Sequence, residues 1–279
     1  MSIEKIGEAP PLAWPELSPD RSPLAGLRVL ELTRILAGPI CGRTLAAYGA
    51  DVLLVNSPNL PNIEAVPDTS RGKLSAHLDL KTQAGKAQLI KLLGDAHVFV
   101  QGYRPGGLAA LGVGPQDAAR LRPGIVYVSL SAYGHDGPWA ERRGFDSLVQ
   151  TATGFNRAEA DAFGSDAPKP LPYQIFDYAS GFLMAFGAAA ALLKQHTEGG
   201  SWHVRVALAQ TAHWVRSLGR FAPDLATPRP NFEELAQDYP SSFGTLRGMP
   251  HAARFSATPP RWTRPSVPPG TNPAEWPVG

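Results

Sequence analysis

The stretch LAGLRVLELTRILAGPICGRTLAAYGADVLLV, residues 24–55, decides the fold. Its first apolar run, LRVLEL (27–32), has the residue types of a short strand. A Gly38-Pro39 turn follows, then the alanine-rich ICGRTLAAYGA (40–50), which suits a helix, and then a second strand-like run, DVLLV (51–55). Strand, helix and strand in this order and at these lengths imply a parallel pair with the helix packed on one face.

The alternation continues outward from that unit. A short HLDL (77–80) precedes the helical KTQAGKAQLIKLLGD (81–95); the strand AHVFVQ (96–101) leads to a proline-opened helical turn, PGGLAALG (105–112); RPGIVYVSLS (122–131) adds a further strand. The pattern predicts an α/β protein with a parallel sheet and helices on both faces. Ligands of such sheets sit outside the carboxyl ends of the strands, so the loops after Leu32, Val55, Gln101 and Ser131 are the places to look. In the first of them Gly38 and Pro39 stand just before a helix, where backbone N–H groups can approach a phosphate. The loop is neither GxGxxG nor a P-loop, and a plain tight turn fits it equally well.

Composition narrows the function classes. A chain of 279 residues can bury a substantial core, and a formal charge of +2 with scattered Lys and Arg argues against nucleic acid as a partner. Cys41 is the single cysteine, which excludes an internal disulfide or a cysteine-built zinc site and points to a reducing, cytoplasmic setting. The seven histidines show no HxxxH or HxH spacing, so no metal is implied, and no Gly-x-Ser-x-Gly elbow supports a serine hydrolase. Residues 1–23 are proline-rich, carry no cationic and apolar signal pattern, and read as a loose, flexible lead-in.

PYQIFDYASGFLMAFGAAAALL (172–193) places one carboxylate, Asp177, at the head of a long apolar run. A helix cap, a flaw in a membrane span and a reactive group at the mouth of a buried helix compete as explanations. The run approaches the about 20 residues that cross a bilayer. It is, however, alanine-rich, only moderately hydrophobic and ionisable near one end. It reads better as a helix enclosed by protein, with Ala179, Gly181, Gly187 and the alanines at 188–191 allowing close neighbours. No membrane partner is expected.

Several of these loops, with QGYRPGGLAALG, RGKLSAHLDLKTQAGK, SAYGHDGP, GFDSLVQTATG and GGSWHVRVALAQTAHW, occur together in unbroken order from about Leu24 to Val215. In wording and order they resemble the class III CoA-transferases, the CaiB/BaiF family, which also includes α-methylacyl-CoA racemases. The resemblance implies a Rossmann-like large domain over residues 24–217 and a CoA-transferase that moves CoA between an acyl-CoA and a carboxylic acid. Asp177 is then the nucleophile, carrying an aspartyl-CoA thioester, and Asp146 an acidic residue near the catalytic centre, unless it only caps a helix. No permanently bound cofactor is implied; coenzyme A and acyl-CoA are substrates. A nucleotide with a pyrophosphate and a 3′-phosphate calls for cations near an aromatic slot. Ala37, Gly38, Arg71, Lys73, Tyr103, Arg104 and Gly106 are the candidates for that contact, with Arg34, Arg142 and Arg143 as additional phosphate or substrate contacts.

The resemblance has departures. Racemases carry a His before the Asp of the GFD motif, where Phe145 stands here and cannot shuttle a proton. The glutamine that formyl-CoA transferase places in the first loop is Leu36, the usual Lys-Arg pair reads Lys73-Leu74, and the Glu commonly ending the second strand is Asn56. The small inserted domain, with its glycine-rich loop, is replaced by a direct passage near Arg220 into a closing segment. An isomerase, or a non-catalytic CoA-binding subunit of a split or larger transferase, are the alternatives. Residues 218–279 hold 12 of the 28 prolines. With Trp262, Trp276, Phe243 and Phe255 to cover, they read as an extended tail packed on the large domain or on a partner subunit. The family implies an interlocked dimer, here a homodimer or a heteromer with a longer paralogue.

Overall fold

The computed structural model describes residues 1–14, 21–219, 228 and 231–277. The elements run β1 (Ser2–Gly7), β2 (Arg28–Leu32), α1 (Ala37–Ala47), β3 (Asp51–Asn56), α2 (Val66–Thr69), β4 (Lys73–His77), α3 (Gln83–Gly94), β5 (Val98–Gln101), α4 (Pro115–Leu121) and β6 (Val126–Ser131). After these come α5 (Asp146–Ala152), α6 (Phe155–Ala162), α7 (Ile175–Glu198), β7 (Ser201–Ala207), α8 (Leu208–Ser217) and a small antiparallel hairpin of β8 (Gln237–Tyr239) and β9 (Leu246–Gly248).

Seven strands form one sheet in the order β1-β7-β6-β5-β2-β3-β4, parallel except for β1. Strand side chains alternate between the faces, and here both faces are apolar. Val29, Val52, Val98, Val126 and Val204 pack under α1 and α7, with Cys41, Leu45, Met184 and Ala188. Their neighbours Leu30, Leu53, Phe99 and Tyr127 point the other way, onto Leu89, Leu92 and Leu93 of α3 and Ala118 of α4. The chain steps outward from β2 through β3 to β4, then restarts at β5 on the other side of β2. The sheet therefore switches direction between β2 and β5, which opens a crevice at their carboxyl ends.

Helix α7 crosses α1 closely. A Cβ at Gly181 would lie 2.6 Å from the Ala37 carbonyl oxygen and 2.7 Å from Ile40 Cβ, so only glycine allows this approach. By length and composition α7 could cross a membrane, yet more than half of its apolar window is enclosed by protein.

Three sequence expectations need correction. The lead-in is not loose at its start: residues 2–7 pair antiparallel with β7, and Gln195 ties Leu12 N–H and the Pro10 carbonyl to α7; positions 15–20 lie outside the described residues. The strand before α3 is KLSAH rather than HLDL, because β4 takes its register from β3, with Lys73 opposite Val52. In the tail, of which 220–227, 229–230 and 278–279 lie outside the described residues, of the four aromatic residues expected to be covered only the two tryptophans are. Trp262 donates to the Arg43 carbonyl and Trp276 to that of Leu92, while Phe243 and Phe255 stay exposed. Asn272 accepts from Ser75 N–H and donates to its carbonyl, covering the open edge of β4 with the chain's own tail.

Candidate active site

The loops after β2, β5 and β6 and the start of α8 enclose a cavity of about 350 Å3 at the switch point. Arg34 to Gly38 come from the first loop, Gly102 to Pro105 from the second, and Leu130 to Ala132 with Arg142 to Phe145 from the third; Leu208 and Asp177 complete the wall. Asp177 is the only carboxylate in that lining, against four arginines. The loop after Val55 takes no part. Between β2 and α1 the backbone is strained: Ile35, a β-branched residue, sits at φ 73°, a left-handed conformation rarely found outside glycine.

Asp177 is not the cap of its helix. Gln174 holds that position without a side-chain hydrogen bond, and Asp177 is the third residue of the first turn. The free N–H groups at the start of α7 are satisfied from another helix. Asp146, at the start of α5 and fully buried, accepts from Asp177 N–H at 2.8 Å and from Phe176 N–H. Gln150, one turn on, donates to Asp146 Oδ1 and to the Tyr173 carbonyl and accepts from Leu171 N–H. Asp146 and Gln150 together thus fasten the segment that delivers Asp177.

The electrostatics follow from this enclosure. Asp177 is 7% exposed; burial, with the nearby Asp146 charge second, pushes its carboxyl up to about 7. Asp146 is also raised by burial, opposed by the bonds from Asp177 N–H, Gln150 and Phe176 N–H. A carboxylate stripped of water at a cavity wall suits attack on an electrophilic carbonyl.

The expected site residues divide. Ala37, Gly38, Tyr103 and Arg104 line the cavity with Asp177, as do Arg34, Arg142 and Arg143; Asp146 lies behind it. Gly106, in a left-handed turn at φ 81°, is outside the lining. Lys73 cannot meet a phosphate: its side chain is fully enclosed, 2.7 Å from Glu31 and donating to the Pro39 carbonyl. Arg71 is likewise engaged elsewhere, donating to Asp68 and to the Met249 carbonyl between the rings of Trp262 and Tyr239, at 4.3 and 5.2 Å. It faces a second cavity of about 420 Å3 under the tail.

Leu130, Ser131 and Leu208 were not anticipated as lining residues; the first two end β6, next to an expected loop, while Leu208 follows β7, whose end was not among the expected loops. His135 lies against Ser129 and His203 and is absent from the cavity lining. His203 Nε2 is 2.7 Å from Ser129 Oγ, but its Nδ1 accepts from Arg205, which leaves Nε2 protonated. That serine is therefore not activated as a nucleophile. Among the described residues no three His, Cys, Asp or Glu side chains are placed to hold a metal.

The family model for CoA-transferase family III matches residues 24–231. A probable fatty acyl-CoA transferase of Mycobacterium tuberculosis is 33% identical over 75% of this chain and 57% of its own length. The succinate–glutarate CoA-transferase of Agrobacterium fabrum is 32% identical over 67% of this chain and 51% of its own. A crystal structure of a CaiB/BaiF family protein from Brucella suis superposes with a TM-score of 0.63 at 28% identity, covering 81% of this chain and 65% of that one. The chain spans about half the length of the curated relatives it matches.

Proposed function

Since the chain belongs to CoA-transferase family III, we propose that it moves CoA from an acyl-CoA to a carboxylic acid through an aspartyl-CoA thioester on Asp177. The observation that carries this is the placement of Asp177, desolvated yet on the wall of an open cavity at the switch point of the sheet.

In the proposed sequence the ionised Asp177 oxygen adds to the thioester carbonyl, the C–S bond breaks, and CoA leaves as a thiolate, giving a mixed anhydride. The thiolate then attacks the Asp177 carbonyl carbon and expels the donor acid as its carboxylate. An acceptor carboxylate reverses both steps on its own behalf, and Asp177 is regenerated as a carboxylate with no net proton change. Asp146 and Gln150 act as positioning residues, holding the first turn of α7 while the anhydride and thioester form and break. Ala37 and Gly38 allow close approach of the pantetheine, and Tyr103 and Arg104 take the nucleotide end. No resident cofactor is required.

The isomerase alternative lacks a second acid/base group: Phe145 stands at the cavity where a histidine would be needed. The exposed row Ile175, Tyr178, Phe182, Phe186 and Leu193 along α7 supports association with a second copy or a longer paralogue. Oxygen tracing tests the transfer. With an acceptor acid labelled with oxygen-18 in its carboxylate, one label passes to Asp177 and, in the next turnover, into released donor acid. Unlabelled donor acid throughout would exclude the aspartyl route.

A further inference from the structure

Strain marks one wall of the cavity that holds Asp177. Ile35 is the only non-glycine residue with a positive φ among the described residues, and it lies in the loop from Arg34 to Gly38 that lines this cavity. A β-branched residue keeps such a conformation only where its surroundings over-determine it.

Two buried side chains supply that constraint, one on each side of Ile35. Asn56, at the end of β3, donates from Nδ2 to the Thr33 carbonyl at 3.0 Å. Lys73, at the start of β4, donates to the Pro39 carbonyl at 2.7 Å. Between these anchors the loop closes tightly on itself: a Cβ on Gly38 would lie 2.5 Å from Thr33 Cβ. The far end of the loop then reaches α7. Ala37 shares a packed apolar cluster with Phe176, the residue before Asp177, and its carbonyl oxygen occupies the space that a methyl on Gly181 would need. Asp146 and Gln150 fasten the start of α7 from α5, and the strained loop supports it from the side of α1.

The two anchors differ in what else they do. Lys73 also neutralises Glu31, so its removal disturbs the core at large. Asn56 is 3% exposed, and the bond to Thr33 is its one side-chain hydrogen bond among the described residues. Loss of that donor frees the Thr33 carbonyl and lets the loop exchange its left-handed turn for a relaxed one. We propose that Asn56 is a positioning residue for the reaction at Asp177, holding the strained first loop as a preformed wall against the start of α7. This rests on the transferase assignment above and adds to its machinery a residue outside the cavity lining.

A double-mutant cycle in the full chain tests it, with Asn56→Leu and Ile35→Gly made separately and together. Glycine adopts a positive φ without steric cost, so in the Ile35→Gly background the loop no longer depends on the Asn56 bond. Two quantities are read. One is the single-turnover rate of CoA adduct formation on Asp177 at saturating acyl-CoA. The other is the titration midpoint of the Asp177 carboxyl in the free protein, from carboxyl carbon-13 NMR, with Asp177→Asn identifying the signal. Asn56→Leu is expected to slow adduct formation at least tenfold. By admitting water to the carboxylate it also brings the midpoint at least one pH unit below the value of about 7. In the Ile35→Gly background the same substitution changes the rate less than threefold and leaves the midpoint in place. A purely structural Asn56 would lower the thermal midpoint and move neither quantity; that result, or equal effects in both backgrounds, would overturn the proposal. Asn56→Ala removes the same donor and replaces the leucine variant if that one does not fold. Absence of any adduct in the unaltered chain would count against the transferase assignment, while the titration cycle still decides whether Asn56 holds the loop.

Discussion

Replacing Lys73 by methionine separates a structural cation from a phosphate ligand. The Lys73 ammonium and the Glu31 carboxylate are both fully enclosed and 2.7 Å apart. Thr33 donates to Glu31 Oε1 at 2.6 Å, and Lys73 donates to the Pro39 carbonyl at 2.7 Å. Burial pushes the Glu31 carboxyl up and the Lys73 ammonium down, each opposed by the other's charge. Deleting one partner leaves a buried charge with a single hydrogen bond, a loss of about 3–5 kcal/mol. At roughly 2–4 °C per kcal/mol for a domain of this size, the midpoint of thermal unfolding falls by about 6–20 °C. The sign of the pH dependence follows from the raised carboxyl. Without Lys73 the folded-state value for Glu31 lies further above the unfolded one, so the deficit is largest near pH 8 and shrinks as pH falls towards 4.5. Thermal and urea melts of Lys73→Met and of Glu31→Gln/Lys73→Met at pH 5 and 8 check this, with the double variant recovering most of the loss. An unchanged midpoint in Lys73→Met, accompanied by a tenfold loss of CoA affinity, would refute the structural assignment and return Lys73 to the ligand.

Other perturbations have definite outcomes. Asp177→Asn abolishes transfer and also stabilises the fold: an acid raised from 3.8 to about 7 penalises the folded state increasingly between those pH values, so the variant gains up to about 4 kcal/mol at pH 8 and little at pH 4 in urea melts. Asp146→Asn keeps an oxygen acceptor for Asp177 N–H but removes the neighbouring charge, so the acidic limb of the pH–rate profile moves to lower pH. Gly181→Ala drives a methyl to 2.6 Å from the Ala37 carbonyl oxygen, costs about 1–3 kcal/mol by overpacking, and lowers kcat by displacing α7 from α1. Trp262→Ala removes the ring under Arg71 and the bond to the Arg43 carbonyl; limited proteolysis should then cut the tail first.

Much of this arrangement was legible in local sequence. The apolar runs that became β2, β3, β5 and β6, and the long segment that became α7, carry their signal within a few residues. The loops after Leu32 and Gln101 were found because the carboxyl ends of parallel strands flank the switch point. What escaped depends on distant partners. Residues 2–7 hold few apolar side chains and become a strand through backbone bonds to β7, some 200 residues away. Lys73 looks like a surface cation until Glu31, on a strand two places over, meets it in the interior. Arg71 is claimed by aromatic residues of the tail. The bond between Asp146 and the start of α7 joins two helices, and nothing in either segment alone marks it.

The central claim, that Asp177 takes CoA covalently, is tested most directly by intact-protein and peptide mass spectrometry after incubation with an acyl-CoA and no acceptor. A gain equal to CoA less one water, confined to the peptide bearing Asp177 and lost on adding a carboxylic acid, is the expected result. Transfer proceeding at full rate in Asp177→Ala, or an adduct on any other residue, would contradict it.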